Sequence, residues 1–297
     1  VHHMFYRAVR SPNESSIGHA TMTGFTIAKP DPQPILRSSL PEESVGIEDP
    51  RITKVEDTFY LLYTAWDGNS ARIGCATSKN LTDWEKIGII GPKIAIKEAI
   101  DLTNSRFYRY KWNQQLNYHH ENSDLWDKDA ILLPEKIDGK FVMYHRFNPC
   151  IQVVMFDSFD QLRDEGFWRE YIRNVEEHTV AWPEYWWEGR KIGGGSTPIR
   201  TEQGWLMFYH GRDVKKWYRA GVILFDLHDP TKVIGRLDEP LFEPKFEWEL
   251  TGVVNQVVFP QGVARDKDTL HIYYGCADKR IGHTTVSLKK LLKMLKQ

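Results

Sequence analysis

The 297 residues carry 39 basic and 40 acidic side chains, a formal net charge of −1, so no global field directs the chain to nucleic acid or to an anionic membrane. Hydrophobic residues make up 41%, enough for one large all-β domain or two ordinary ones, and no run approaches the roughly 20 apolar residues of a membrane span. Three widely spaced cysteines, Cys75, Cys150 and Cys276, match neither a disulfide framework nor a metal-ligand spacing; they read as small buried hydrophobes.

The chain opens VHHMFYRAVR, without a basic-then-apolar leader pattern, and a cytoplasmic location is expected. Its first strand pair, Met4 to Met22, has an aromatic-rich run, a polar turn and a second run of small residues. The same unit returns at Thr58 to Ser78, Lys140 to Phe156, Trp205 to Asp226 and Thr269 to Ser287. Five copies about 60 residues apart are too long for a solenoid and predict a single all-β domain over 1–297, a five-bladed β-propeller. Charged groups mark the hairpin ends: Tyr6-Arg7, Thr64 to Asp67, His145-Arg146, His210 to Arg212 and Ala277-Asp278. In a radial arrangement they converge on one funnel.

Between the first and second units lies GIEDPR, Gly46 to Arg51. Glu48 and Asp49, followed by Pro50 and Arg51, crowd two carboxylates against a guanidinium, which allows one acid to be held protonated beside an ionised neighbour; a structural Glu48 to Arg51 ion pair is the alternative. Residues 93–126 read as an insertion between blades, a candidate lid. Next, Lys128 and Asp129 begin a strand whose partner ends in His145-Arg146. Lys191 precedes the glycines of KIGGGS, which lack the spacing and the following helix of a nucleotide loop and serve close backbone approach instead. Arg146, Lys191 and His210 at equivalent hairpin ends would concentrate positive charge suited to a small dianion. A short amphipathic helix is expected over Ser287 to Gln297, with Leu288, Leu291, Leu292 and Leu295 at helical spacing. The 13% aromatic content, with 11 Trp, is in keeping with rings that stack on sugars.

Taken in order, GIEDPRI, KDAILLPEKIDGK, KIGGGSTPI, GWLMFYHG, YRAGVILFDLHDPTKVIGR, VVFPQGV and YYGCADKRIG resemble glycoside hydrolase family 130, the β-mannoside phosphorylases and their relatives, from about Tyr6 to Leu288. The resemblance implies a five-bladed propeller that cleaves a terminal β-mannosyl residue of a manno-oligosaccharide or mannosyl-glucose with inversion, phosphate attacking C1 to give α-mannose 1-phosphate. It implies Asp49 as general acid, acting through a hydroxyl of the bound mannose. Arg146, Lys191, His210 and Lys128 fall on phosphate-binding positions, and Arg7, Glu48, Arg51, Asp67, Asp129 and Asp278 on the sugar side. Lys128-Asp129 stands where some phosphorylases have Arg-Asn, and KDA matches members that resemble oligomannoside phosphorylases. The family's extra N-terminal NPI…VFNPG segment is not found before Tyr6, so either the sequence is expected to be N-terminally truncated or blade closure to differ, and either would weaken the first blade and the sugar site beside it. Implied too are phosphate as co-substrate, no cofactor or metal, a β-linked mannoside as partner with neither nucleic acid nor membrane, and a possible homo-oligomer. A water-using inverting β-mannosidase and a non-catalytic carbohydrate-binding propeller are the competing readings.

Overall fold

The computed structural model describes residues 2–10, 14–116 and 123–295, and the chain is mostly β. Each of the five expected units is an antiparallel hairpin: His2–Arg10 with Glu14–Thr23, Thr58–Trp66 with Ala71–Ser78, Phe141–Phe147 with Ile151–Phe156, Trp205–Arg212 with Tyr218–Phe225, and Thr269–Cys276 with Arg280–Ser287. Sheet pairing does not separate them into five blades. The described strands form four open sheets of seven, four, five and three strands, and none is closed. The first two hairpins share a sheet because Ser15 and Gly46 pair in parallel, an approach so tight that a Cβ on Gly46 would lie 2.8 Å from the Ser15 backbone nitrogen.

By its contacts the chain divides into two compact units, one of residues 1–143 with 154–178, the other of 144–153 with 179–297. In the first, Ile17, Leu36, Ile47, Leu61, Tyr63, Ala65 and Ala76 interlock as a core beneath the seven-stranded sheet. The insertion is more than a loop. Helices Ile96–Leu102 and Arg106–Leu116 bury Tyr108 and Trp112 completely, and Arg169 of a third helix, Glu165–Arg173, bonds Glu98 at 2.8 Å. The segment RFYRYKWNQQL hides its helical character because only two of its residues, i and i+4, face inward. Residues 117–122 of the insertion lie outside the described residues.

In the second unit the C-terminal helix forms as expected, over Leu288–Met294, with the Ser287 side chain accepting from Lys290 N–H at its start. Leu288, Leu291, Leu292 and Leu295 pack on Leu206, Phe208, Val222, Leu224, Leu270 and Ile272 of the last two hairpins. The three cysteines are buried thiols outside any disulfide, and burial pushes the Cys276 thiol up to about 11, which removes it from thiolate chemistry at neutral pH. No helix among the described residues is long and apolar enough to cross a membrane.

A repeated device braces three of the hairpins. Glu43, Glu188 and Glu249, each buried in a short helical turn, accept two backbone N–H groups on one oxygen: Ser39 and Leu40 at 2.7 and 3.1 Å, Glu184 and Tyr185 at 2.9 and 3.2 Å, Lys245 and Phe246 at 2.8 and 3.0 Å. The other oxygen accepts a tyrosine hydroxyl, from Tyr63 at 2.6 Å, from Tyr209, and from Tyr274 at 2.8 Å. Those rings lie over Gly74, Gly221 and Gly282, where any Cβ would collide with them within 2.5 Å. Three residues beyond each glutamate come Gly46, Lys191 and Gly252, set against Trp66, Arg212 and Ala277, each three residues beyond its tyrosine. Corresponding positions in different hairpins can therefore be matched residue by residue.

Candidate active site

In the first unit, strand Gly46–Val55 pairs with Thr58–Trp66 through a bulge: Glu48 opposes Thr64 but Arg51 opposes Leu62, leaving one extra residue between them. The bulge holds Asp49 at φ 52°, and Asp129, in strand Asp127–Leu132, sits at φ 59°. Left-handed backbone at a non-glycine residue costs of order 1–3 kcal/mol and persists only where its surroundings impose it; aspartate tolerates it better than most residues. Arg51 does the imposing. Buried at 3% exposure, it donates to the Asp49 carbonyl at 2.9 Å and lies 3.7 Å from the Asp129 carboxylate.

Three cations meet three carboxylates here. Arg7 Nη1 lies 3.4 Å from Glu48, and Lys128 Nζ lies 3.6 Å from Glu48 and 4.0 Å from Asp49. Arg7 is mid-strand in His2–Arg10, opposite Ile17, rather than at a hairpin end, yet it reaches the cluster because its strand runs alongside. Burial works to raise the Asp49 pKa, but Lys128, Arg51 and Arg7 outweigh it against the opposing Asp129, and the carboxyl is held below its usual range. Of the crowded carboxylates, Asp49 is the one that these cations favour as the carboxylate in the free site. A folded-state pKa below the unfolded one contributes stability that is present at neutral pH and lost as pH falls through the folded value. Lys128→Met is therefore expected to raise the Asp49 midpoint, read by carboxyl-carbon NMR titration, and to leave less acid-labile stability. An unmoved midpoint would show that Lys128 does not govern this carboxyl.

Asp67, one residue past strand Thr58–Trp66, accepts the N–H groups of Asn69 and Ser70 at 2.9 and 2.6 Å and so shapes its turn. In the same unit Trp126, two residues before Lys128, meets Trp66 edge to face at 5.2 Å and donates to the Asn69 carbonyl. Sequence reasoning misses this ring pair because the two tryptophans are 60 positions apart.

In the second unit the positive groups gather. Strand Lys191–Gly194 pairs with Trp205–Arg212 so that Lys191 opposes Arg212 and Gly193 opposes His210, placing Lys191, His210 and Arg212 on one face. Arg146, in strand Phe141–Phe147, donates to His210 Nε2 at 3.1 Å; since guanidinium only donates, that nitrogen is the acceptor of the imidazole. Phe259 stacks on the His210 ring at 4.0 Å, while Lys191 Nζ and the Arg212 guanidinium lie 5.8 and 5.3 Å from the Tyr218 ring. Tyr218 and Phe259 thus hold the basic groups in place, and Arg212 joins the three that the sequence singled out. Gly195 approaches Phe208 and Pro260, with a Cβ falling 2.7 and 2.5 Å from their carbonyls, so that glycine serves strand contact. Asp278 follows strand Thr269–Cys276 in the exposed turn, at φ 54°. It stands four residues after Tyr274, as Asp67 stands after Tyr63. Among the described residues no three His, Cys, Asp or Glu side chains form a metal-binding group.

Known proteins resemble this chain along its whole length. A family model described as beta-1,4-mannooligosaccharide phosphorylase matches residues 1–297. Two proteins of Thermoanaerobacter sp. (strain X514) are similar over 97% of this chain: a beta-1,2-mannobiose phosphorylase, 35% identical across 87% of its own length, and a 1,2-beta-oligomannan phosphorylase, 33% identical across 86%. The solved structure of beta-1,2-mannobiose phosphorylase from Listeria innocua, in complex with beta-1,2-mannobiose, superposes with a TM-score of 0.73 at 26% identity, covering 95% of this chain and 70% of that one.

Proposed function

We propose, since this chain belongs to glycoside hydrolase family 130, that it is an inverting β-mannoside phosphorylase, transferring a terminal β-mannosyl residue to inorganic phosphate to give α-mannose 1-phosphate. The observation that carries the choice of phosphate over water is the basic face of Lys191, His210 and Arg212 with Arg146 behind it. An inverting hydrolase needs a second carboxylate to activate water, whereas a phosphate dianion arrives already nucleophilic and needs cations to hold it. Arg146 and Lys191 supply that charge, with Lys128 as a further cation, while His210, neutral because its Nε2 accepts from Arg146, offers its Nδ1–H, and phosphate is a co-substrate rather than a cofactor.

Asp49 supplies the proton, passed through a mannose hydroxyl to the leaving oxygen. In the free enzyme it is held ionised, so it must gain a proton as substrate binds. Its side chain is 21% exposed, and a sugar covering it strengthens the burial that already works to raise its pKa. Arg7 and Glu48 hold sugar hydroxyls, Arg51 and Asp129 fix the acid's backbone and orientation, and Asp67 and Asp278 border the sugar. We read the five hairpins as blades of a propeller, a reading that the repeated glutamate–tyrosine device supports. Oligomerisation of identical chains fits this assignment as well.

Two relatives similar over 97% of the chain are named for β-1,2 bonds and the family model for β-1,4, so both mannobioses are tried, β-1,2-mannobiose first. Incubation with β-1,2- and β-1,4-mannobiose and with mannosylglucose is expected to give mannose 1-phosphate only when phosphate is added. Free mannose released at a rate indifferent to phosphate would transfer the assignment to a β-mannosidase.

A further inference from the structure

A second concave surface in the second unit belongs to neither cluster. It is a cavity of about 390 Å3 lined by Glu247, Trp248, Thr251, Lys279 and Arg280. Trp248 is 45% exposed and Phe246 is 54% exposed, their rings parallel with centroids 4.7 Å apart and 9° between planes. Large rings at the surface need a cause. Here Glu249, within the short helical turn Glu247–Leu250, accepts the Lys245 and Phe246 N–H groups and the Tyr274 hydroxyl, and this anchor directs its neighbours outward. The platform is therefore built into the short turn and pre-stacked.

Around it stand a carboxylate, a hydroxyl, an ammonium and a guanidinium, and no ion pair among the described residues engages Glu247, Lys279 or Arg280. A flat aromatic face ringed by mixed donors and acceptors matches a pyranose, which offers C–H groups on one face and hydroxyls at its edge. The volume lies near the low end of the roughly 300–1,000 Å3 typical of small-molecule sites, room for a short stretch of sugar.

The position of the cavity narrows the choice. Glu249 corresponds to Glu43, and Ala277 to Trp66, so the turn at residues 277–280 matches the turn that begins at Trp66 in the first unit. Val253 and Val254 N–H groups bond the Ala277 carbonyl at 2.9 and 3.3 Å, tying the segment after Trp248 to the turn that carries Asp278. We infer that Trp248, with Glu247, Thr251, Lys279 and Arg280, forms a separate carbohydrate-binding site that takes a mannosyl unit of a longer β-mannooligosaccharide. This rests on the phosphorylase reading for the identity of the sugar, and on the platform's own chemistry for its being a sugar.

The experiment measures affinity for β-mannooligosaccharides of two to six units by calorimetry, on the full chain, for wild type, Trp248→Ala and Arg280→Ala, with circular dichroism to verify folding. Trp248→Ala is expected to weaken hexasaccharide binding about tenfold, the loss of a stacked ring, and to leave disaccharide affinity and turnover within about twofold. Arg280→Ala, which leaves the turn's packing intact, is expected to weaken the long chain by several-fold. Hexasaccharide affinity unchanged in both variants overturns the site, as does an equal loss for the disaccharide. A change of oligomeric state in Trp248→Ala, read by sedimentation, assigns the patch to a second copy of the chain and also overturns it. The two readings fail separately: Trp248-dependent binding without phosphorolysis removes the enzyme assignment alone, and phosphorolysis with a silent Trp248→Ala removes the site alone.

Discussion

Asp49→Asn is expected to abolish phosphorolysis, with a loss of about 10²–10⁴-fold, while the protein stays folded and retains most of its affinity for mannoside. The amide is isosteric but has no acidic proton to give to the leaving oxygen. The backbone favours this particular substitution: at φ 52° asparagine is among the residues that adopt left-handed geometry most readily, so the bulge and the Arg51 bond to the residue 49 carbonyl survive. Asp49→Ala is a poorer probe because it adds backbone strain to the loss of the carboxyl. The measurement is initial rate with β-1,2-mannobiose and saturating phosphate, alongside thermal unfolding. A folded Asn variant that keeps more than about a tenth of wild-type rate removes Asp49 from the acid role.

Lys191→Ala is expected to raise the apparent KM for phosphate by roughly 10- to 150-fold, the equivalent of a charge-assisted contact of about 1.5–3 kcal/mol. The KM for mannoside, extrapolated to saturating phosphate, should move far less. Synthesis from mannose 1-phosphate should suffer in parallel, because the same groups hold the product's phosphoryl oxygens. The site makes this a clean substitution. Lys191 is part-exposed at the first residue of its strand, its backbone pairing with Arg212 does not depend on the side chain, and Arg146 and His210 keep their mutual bond. If neither constant changes, Lys191 is a surface lysine above the Tyr218 ring and the phosphate assignment rests on Arg146 and His210 alone.

Much of the fold is legible in the amino-acid sequence, for particular reasons. The hairpins can be read because a strand's alternation and its turn residues are local, and all five form where the repeats place them. The C-terminal helix can be read because four leucines share one face. The insertion's longer helix cannot, since RFYRYKWNQQL buries only Tyr108 and Trp112 and looks polar in any window, whereas IKEAIDL does carry Ile96, Ala99 and Ile100 at helical spacing. Nor can the sheets: whether consecutive hairpins join is decided by one close pair, Ser15 with Gly46, and not by a pattern.

The site divides in the same way. GIEDPR and KIGGGS are visible as motifs because their residues are neighbours in the chain, and the chemistry of paired carboxylates and of clustered cations follows from residue type. Sequence by itself determined which groups carry charge, the order in which the hairpins supply them, and the family to which that order belongs. Only tertiary structure decided their state. The direction of the Asp49 pKa depends on cations from residues 7, 51 and 128, brought together by packing of strands from two sheets of the first unit, and electrostatic interaction falls with distance in space, not along the chain. Tyr218, beneath Lys191 and Arg212, belongs to the legible hairpin partner of the His210 strand, but Phe259, which stacks on His210, comes from a strand some 50 residues further on, and ring stacking is specified by packing and leaves no periodic trace in the sequence.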